Sequence, residues 1–201
     1  MNILRVFPTM IGVEKNTDHN ALESSLVPRC FEIEKNVTPG GQQWLSKNTY
    51  STDCVYNIVK DESFNELNSY VVRCVKAFTT ETLKIDYDNL TCHEGWINIA
   101  RKGNFQEYHC HNPAFLSVIY YLKVPENSAK LWIKNHLSDM HSPALTETDM
   151  DNGPTIWIKP EPGTLVMFRG HLEHYVEEHP VDDSRISVAY NFYYTPTLMD
   201  L

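Results

Sequence analysis

Residues 107–124 read "EYHCHNPAFLSVIYYLKV", two histidines followed directly by a strongly apolar stretch. The run "FLSVIYYLKV" is rich in β-branched and aromatic residues, which predicts a buried strand. If the chain just before it is extended, the side chains of His109 and His111 leave the same face and that of Cys110 leaves the other. Imidazole suits Zn, Fe, Cu or Ni at neutral pH, so the pair is a candidate metal site. The alternative is two solvent-facing polar residues at a strand edge.

A second set of polar residues lies in the C-terminal stretch "GTLVMFRGHLEHYVEEHPVDDSRISVAYNFYY". His174 follows an apolar strand and a turn, and Arg185 comes eleven positions later. In an extended strand Ser187 and Asn191 share a face with Arg185, whereas the apolar residues Ile186, Val188, Tyr190 and Phe192 occupy the other. The polar face is either half-exposed or lines a polar cavity. An arginine beside a hydroxyl is a suitable receptor for a buried carboxylate.

The rest of the chain predicts a mainly β fold with some α-helix. Short strands bounded by Pro, Gly and Asn follow one another from Asn89, and seven in about a hundred residues favour a sandwich or barrel. Before them, apolar residues recur at helical spacing in a segment that begins with Asp61, a good N-cap; they are Phe64, Leu67, Val71, Val75 and Phe78. A shorter helix is expected over about Asp18 to Glu34, interrupted or ended near Pro28. We expect one domain over 1–201, with helical support at about 15–86 and a β core at about 89–195.

Composition excludes several classes of partner. The formal net charge of −9 and the absence of a Lys/Arg cluster argue against nucleic acid and against an anionic membrane surface. The five cysteines are scattered and form no C-x-x-C pair, so neither a disulfide framework nor a thiolate zinc site is indicated. With no signal peptide and no long apolar run, we expect a cytoplasmic protein with reduced thiols. A homodimer is left open.

The order of these motifs resembles the double-stranded β-helix core, of the jelly-roll or cupin-like kind, of the Fe(II)- and 2-oxoglutarate-dependent oxygenases. The resemblance runs from about Trp96 to Tyr194. It rests on His109-x-His111, the strand ending "IYYL", "PGTLVMF", His174 and Arg185-x-Ser187. "HCHNPAFLSVIYYL" is especially similar to the prolyl-hydroxylase branch, and the length and "FPT" start are similar to those of small bacterial and phage oxygenases.

The resemblance implies a hydroxylase-type dioxygenase that uses Fe(II), 2-oxoglutarate as co-substrate, and O₂ on a small-molecule or peptidyl substrate. It implies His109, His111 and His174 as metal ligands, and Arg185 and Ser187 as the receptor for the far carboxylate of 2-oxoglutarate. By the same similarity Tyr121 would donate to that carboxylate, with ordinary core packing as the alternative. Asn98 is a weaker candidate that would contact the co-substrate or a neighbouring strand. No catalytic residue beyond the metal ligands is predicted.

One position departs from the family pattern. His111 stands where the superfamily usually has a carboxylate, so the predicted ligand set has three histidines. A three-histidine cupin-type dioxygenase that needs no 2-oxoglutarate therefore stays open, as does a non-catalytic β-sandwich that binds other molecules or serves a structural role.

The remaining candidates receive simpler interpretations. Residues 135–154 are polar and turn-forming without a helical period, which predicts a mobile lid over the metal site. Cys110 is expected to be a small core residue. We expect structural roles for His19 and His93 and surface positions for the remaining histidines, which are His136, His141, His171 and His179.

Overall fold

The computed structural model describes residues 1–2, 4, 6–41, 44–46, 48–137 and 145–195. Two α-helices precede most of the strands, α1 over His19–Asn36 and α2 over Asn65–Ala77. Pro28 lies inside α1, so the predicted interruption there is wrong. Pro28 is on the exposed side of the helix, where water can solvate the carbonyl that its missing N–H leaves without a helical partner. No helix in the described ranges is long and apolar enough to cross a membrane.

The segment that begins at Asp61 is helical as predicted, and it contains three helix types in succession. The Asp61 carboxylate caps a 3₁₀ helix over Glu62–Phe64 by accepting from the Ser63 N–H, at 2.9 Å. Helix α2 follows directly and continues into a π-helix over Phe78–Leu83. The predicted apolar stripe is buried along its whole length.

In the part of the chain that the structure describes, ten strands form two antiparallel sheets. They are β1 (Gly12–Lys15), β2 (Tyr50–Ser51), β3 (Leu90–Ala100), β4 (Gln106–His109), β5 (Leu116–Lys123), β6 (Leu131–Lys134), β7 (Thr155–Ile158), β8 (Thr164–Arg169), β9 (His174–Val176) and β10 (Arg185–Tyr194). The large sheet has the order β1-β8-β5-β10-β3-β2, and the small sheet has the order β4-β9-β6-β7. All seven strands predicted after Asn89 are present. The sequence patterns missed β1, β2 and β4, each of only two to four residues.

The two sheets build the predicted double-stranded β-helix, and each face of the large sheet has its own core. One face packs against α1 and α2 through the apolar side of β10, which carries Ile186, Val188, Tyr190 and Phe192. The other faces the small sheet across a smaller cluster that includes Tyr121, Leu131 and Phe168. The polar side of β10 is turned toward this second space, so it lines a cavity and is not half-exposed.

Substitution of Leu67 tests how far the helical layer stabilises the β core. Leu67 is fully buried between α2 and the large sheet. Leu67→Ala should lower the free energy of unfolding by about 2–5 kcal/mol, because it removes buried methyl groups and leaves a cavity. Val72→Ala is the matched control, because Val72 on the same helix is 39% exposed and its loss should change stability by less than about 0.5 kcal/mol. Urea denaturation of both variants measures the difference, and equal stabilities would contradict this packing.

Candidate active site

A cavity of about 310 Å³ lies between the two sheets. The inward faces of β3, β5 and β10 form one wall, and the ends of β4 and β9 contribute the opposite one. The register of the three central strands arranges the wall in rungs: Asn98, Ser187 and Tyr121 on one, Trp96, Ala189 and Ile119 on the next, and Glu94, Asn191 and Ser117 on the third. Arg185 lies below the first rung, at the closed end of the series.

Three histidines converge on the side of the cavity opposite this wall. One nitrogen from each of His109, His111 and His174 lies within 4.8 Å of the other two. His109 and His174 are brought together by pairing of β4 with β9, where they are opposite each other in register. His111 lies beyond the end of β4, in the turn that leads to β5.

Backbone contacts fix the position of His111. Its N–H donates to the carbonyl of Gly170 at 2.8 Å, and the Gly170 N–H donates to the carbonyl of Phe115 at 3.0 Å. A Cβ atom at residue 170 would lie 2.1 Å from the carbonyl oxygen of Ala114, so only glycine allows the turn between β8 and β9 to approach so closely. The turn that precedes His174 therefore also anchors His111.

The tautomers and pKa values of these histidines favour metal binding. Nδ1 of His109 donates to the carbonyl of Glu107 at 2.7 Å, and Nδ1 of His174 donates to that of Leu172 at 2.9 Å. These bonds leave Nε2 of both rings unprotonated and hold the rings in place. Burial lowers the pKa of His111 to about 4 and that of His174 well below its ordinary value, and it lowers the pKa of His109 as well. At neutral pH the cluster presents three neutral imidazoles, the form that binds a divalent ion.

Arg185 is buried in the cavity wall without an acidic partner. It is 3% exposed, and one guanidinium N–H donates to the carbonyl of Ala129 at 3.2 Å. Its Nε forms no hydrogen bond, and no carboxylate of the described chain pairs with it. Burial lowers the pKa of Arg185, and the neighbouring Tyr121 opposes that shift. A buried guanidinium without a counter-charge is costly, which makes this end of the cavity a receptor for an anion.

The other predicted residues of this site lie beside Arg185. Ser187, Tyr121 and Asn98 are all buried and share the adjacent rung of the wall. Burial raises the pKa of Tyr121 to about 12, so its hydroxyl stays protonated and available as a donor. Asn98 Oδ1 is buried with no hydrogen-bond partner in the described residues. The structure thus brings together every residue singled out for this site, and their roles remain predictions.

Two expectations about neighbouring residues are wrong. Cys110 is exposed at the cavity rim, because β4 ends at His109 and strand alternation no longer applies beyond it. His179 is fully buried rather than on the surface. Its Nε2 donates to the carbonyl of Asp183 at 2.8 Å, and its Nδ1 faces the Ala129 N–H at 3.5 Å. His179 therefore supports the segment whose carbonyl holds Arg185.

Sequence reasoning missed further residues of the cavity. Trp44 comes from the loop before β2 and packs edge-on against His109, with ring centroids 4.6 Å apart. Trp96 stacks on His111 with centroids 5.7 Å apart. Strand alternation from Asn98 could have identified Trp96 and Glu94, whereas nothing local predicts Trp44, whose contact depends on the tertiary fold.

The predicted lid falls partly outside the described residues, which omit 138–144. The connection leaves β6 at the end where Ile133 pairs with His174, and His136 contacts the ring of His171. Its described residues do not line the cavity. A role in closing the site therefore remains a prediction.

Comparison with known proteins agrees with this fold. Residues 94–191 match the family described as "Putative 2OG-Fe(II) oxygenase". No functionally curated protein matches the chain. The matched range includes all three histidines, Arg185 and Ser187.

Several solved structures share the fold at low sequence identity. A Pseudomonas putida prolyl-4-hydroxylase is 13% identical, with 94% of each chain covered and a TM-score of 0.67. A Trichoplax adhaerens prolyl hydroxylase, in complex with a hypoxia inducible factor peptide fragment, is 13% identical over 91% of this chain and 83% of the other, at a TM-score of 0.60. HygX from Streptomyces hygroscopicus, with nickel, 2-oxoglutarate and hygromycin B bound, is 12% identical. The comparison covers 93% of this chain and 84% of HygX, at a TM-score of 0.63. The family match confirms the resemblance to the 2-oxoglutarate- and Fe(II)-dependent oxygenases over residues 94–191, and the solved structures, two of them prolyl hydroxylases, confirm the fold.

Proposed function

Starting from that resemblance, we propose that the protein is a non-haem Fe(II)- and 2-oxoglutarate-dependent oxygenase that hydroxylates its substrate. The observation that carries the proposal is the position of Arg185, a buried guanidinium without an acidic partner, in the same cavity as three convergent imidazoles. A plain metal site needs no buried positive charge beside it. An anionic ligand that also reaches the metal explains both features together.

The residues present fit both the metal and the co-substrate. His109, His111 and His174 would hold Fe(II), and three protein ligands leave further coordination positions open. Arg185, Ser187 and Tyr121 would hold the far carboxylate of 2-oxoglutarate, with Arg185 supplying charge and the two hydroxyls supplying donors. Asn98 would contact the co-substrate from the same rung.

The bound iron would supply the oxidation, in which O₂ and 2-oxoglutarate convert a substrate C–H to C–OH with release of succinate and CO₂. The protein orients the reactants and excludes water. Trp96 and Trp44 pack against His111 and His109, and Phe168 lies 4.8 Å from the ring of His174, so aromatic rings shield the ligands from solvent. Proposed substrates are a small molecule or a peptidyl group, since the compared structures contain one or the other. A cytoplasmic location and a homodimer stay predictions.

A three-histidine dioxygenase without 2-oxoglutarate is the second candidate, and one observation favours it. His111 occupies the place of the usual carboxylate, and the three imidazoles lie together as neutral ligands. The buried Arg185 counts against this reading, because an enzyme without 2-oxoglutarate would need a carboxylate receptor at this end of the cavity only if its own substrate carried a carboxylate.

Succinate formation separates the two candidates. Purified protein supplied with Fe(II), O₂ and 2-oxoglutarate should form succinate even without its substrate, at a slow uncoupled rate, since the co-substrate alone completes this half of the reaction. Isotopically labelled 2-oxoglutarate and mass spectrometry provide the measurement. His174→Ala should abolish the product, and His171→Ala should not, because His171 is exposed and outside the ligand set. Consumption of O₂ with no succinate would reject 2-oxoglutarate and favour the second candidate.

A further inference from the structure

The two ends of the cavity differ in hydrogen-bonding character. The closed end carries Arg185, Ser187 and Tyr121 and suits an anion. The third rung of the wall, at the opposite end, carries Glu94, Asn191 and Ser117. Six residues of β10 separate Arg185 from Asn191, which corresponds to about 20 Å along an extended strand. This outer end therefore lies well beyond the part of the cavity that the 2-oxoglutarate carboxylate would occupy.

Hydrogen bonds within the outer rung orient the Asn191 side-chain amide so that its oxygen has no hydrogen-bond donor among the described residues. Asn191 Nδ2 donates to Glu94 Oε1 at 2.7 Å, and the Tyr193 hydroxyl donates to the same oxygen at 2.5 Å. Because the Asn191 amide nitrogen must face the carboxylate, its Oδ1 is fixed on the other side. Asn191 is 6% exposed, and its Oδ1 has no hydrogen-bond partner among the residues that the structure describes.

A second buried atom on this rung also lacks a partner. Ser117 is fully buried and lines the cavity, and its Oγ forms no hydrogen bond within the described chain. Buried polar atoms are rarely left unsatisfied, and those that face a cavity point to a ligand that satisfies them. The partner missing from this rung is a hydrogen-bond donor, because Asn191 Oδ1 can only accept.

Charge and aromatic rings restrict the donor further. Asp53 and Glu94 both line this part of the cavity, and Arg185 at the far end is the only lysine or arginine among the described lining residues. Trp96, the next rung inward, and Tyr193 at the rim supply aromatic faces of the kind that attract organic cations. Trp96 and Glu94 lie on adjacent rungs, two residues or about 7 Å apart along β3, and Trp96 stacks on His111. A group bound at the outer rung would therefore lie close to the metal side of the cavity.

We propose that this outer rung, formed by Glu94, Asn191 and Ser117 with Asp53 at its rim, binds a cationic nitrogen of the substrate. The substrate class is an organic ammonium or guanidinium compound, either a small amine or a basic side chain. This proposal rests on the proposed function, because it places the cation beside the carbon that the oxygenase would attack.

A titration with matched probes tests the subsite without turnover. The protein is loaded with Zn²⁺ as a diamagnetic substitute for iron and with 2-oxoglutarate, and amide chemical shifts follow binding. The cationic probes are Nα-acetyl-lysine methylamide and n-pentylammonium; their neutral counterparts are Nα-acetyl-norleucine methylamide and n-pentanol. We expect the cations to bind at least about tenfold more tightly, as one charge-assisted hydrogen bond provides.

Glu94→Gln should remove this preference, because glutamine keeps the shape and the acceptor oxygen of Glu94 and loses only the charge. Asp53→Asn should reduce it and serves as a second variant if Glu94→Gln does not fold. Glu161→Gln is the control, because it changes the net charge by the same amount at an exposed residue that pairs with Lys15 outside the cavity. It should leave the preference for cations unchanged. Equal binding of cations and neutral probes, no binding of either, or an undiminished preference in both cavity variants would overturn the subsite.

The same samples separate this proposal from the proposed function. The affinity for 2-oxoglutarate is measured first in the Zn²⁺-loaded wild type and in Glu94→Gln, and both should bind it equally. Normal 2-oxoglutarate binding without a cation preference overturns the subsite alone. A cation preference in a protein that does not bind 2-oxoglutarate overturns the oxygenase proposal instead.

Discussion

Replacing Arg185 with alanine should weaken 2-oxoglutarate binding by about two to four orders of magnitude. The bound carboxylate would be buried without its counter-charge, and breaking a buried ion pair in this way costs about 3–5 kcal/mol. Metal affinity should be unchanged, because Arg185 is not among the three convergent imidazoles. Anaerobic titration of the Fe(II)-loaded wild type and Arg185→Ala with 2-oxoglutarate measures the loss.

Arg101→Ala is the matched control for this experiment. Arg101 directly follows the end of β3, is exposed, pairs with Glu34 and does not line the cavity. Its removal changes the net charge equally and should leave 2-oxoglutarate affinity unchanged. Equal affinity in wild type and Arg185→Ala, or none in either, would reject the co-substrate and promote the three-histidine dioxygenase.

Removing any one of the three histidines should lower Fe(II) affinity by more than about 100-fold. Loss of a group that only supports a metal ligand commonly costs 10–100-fold, and loss of the ligand itself should cost more. His109→Ala, His111→Ala and His174→Ala are compared with wild type by anaerobic calorimetric titration with Fe(II). His171→Ala is the control, because His171 is exposed and lies only three residues from His174.

The second ligand position needs a separate variant, because it departs from the family pattern. His111→Asp restores the usual carboxylate and should retain most of the Fe(II) affinity, whereas His111→Ala should not. If His111→Ala binds iron as tightly as wild type, His111 is not a ligand and another group must complete the site.

Most of the polar site was predictable from short patterns in the sequence. Alternation along β10 placed Arg185 and Ser187 on one face and Ile186, Val188, Tyr190 and Phe192 on the other, and the structure keeps both faces. Strand alternation is a local property that depends only on the backbone of one extended segment. The helical stripe of α2 was predictable for the same reason.

Tertiary structure decided the strand register and the loop contacts, which local sequence patterns do not determine. The rung of Glu94, Asn191 and Ser117 exists only because β3, β10 and β5 pair in one register, and that register depends on contacts between residues about 75 to 97 positions apart. The turn at Gly170 placed His111 beside His174 and exposed Cys110, where alternation predicted a core residue. His179 is buried because the loops that contain Ala129 and Asp183 close around its ring.

The sequence by itself determined the chemical groups and the face of each strand on which they lie, since spacing along one chain segment sets both. Only the tertiary structure decided that one end of the cavity offers donors and the other offers acceptors. That difference arises because Arg185 and Glu94 lie on different strands, β10 and β3, and the sequence of either strand alone does not determine how the two strands pair.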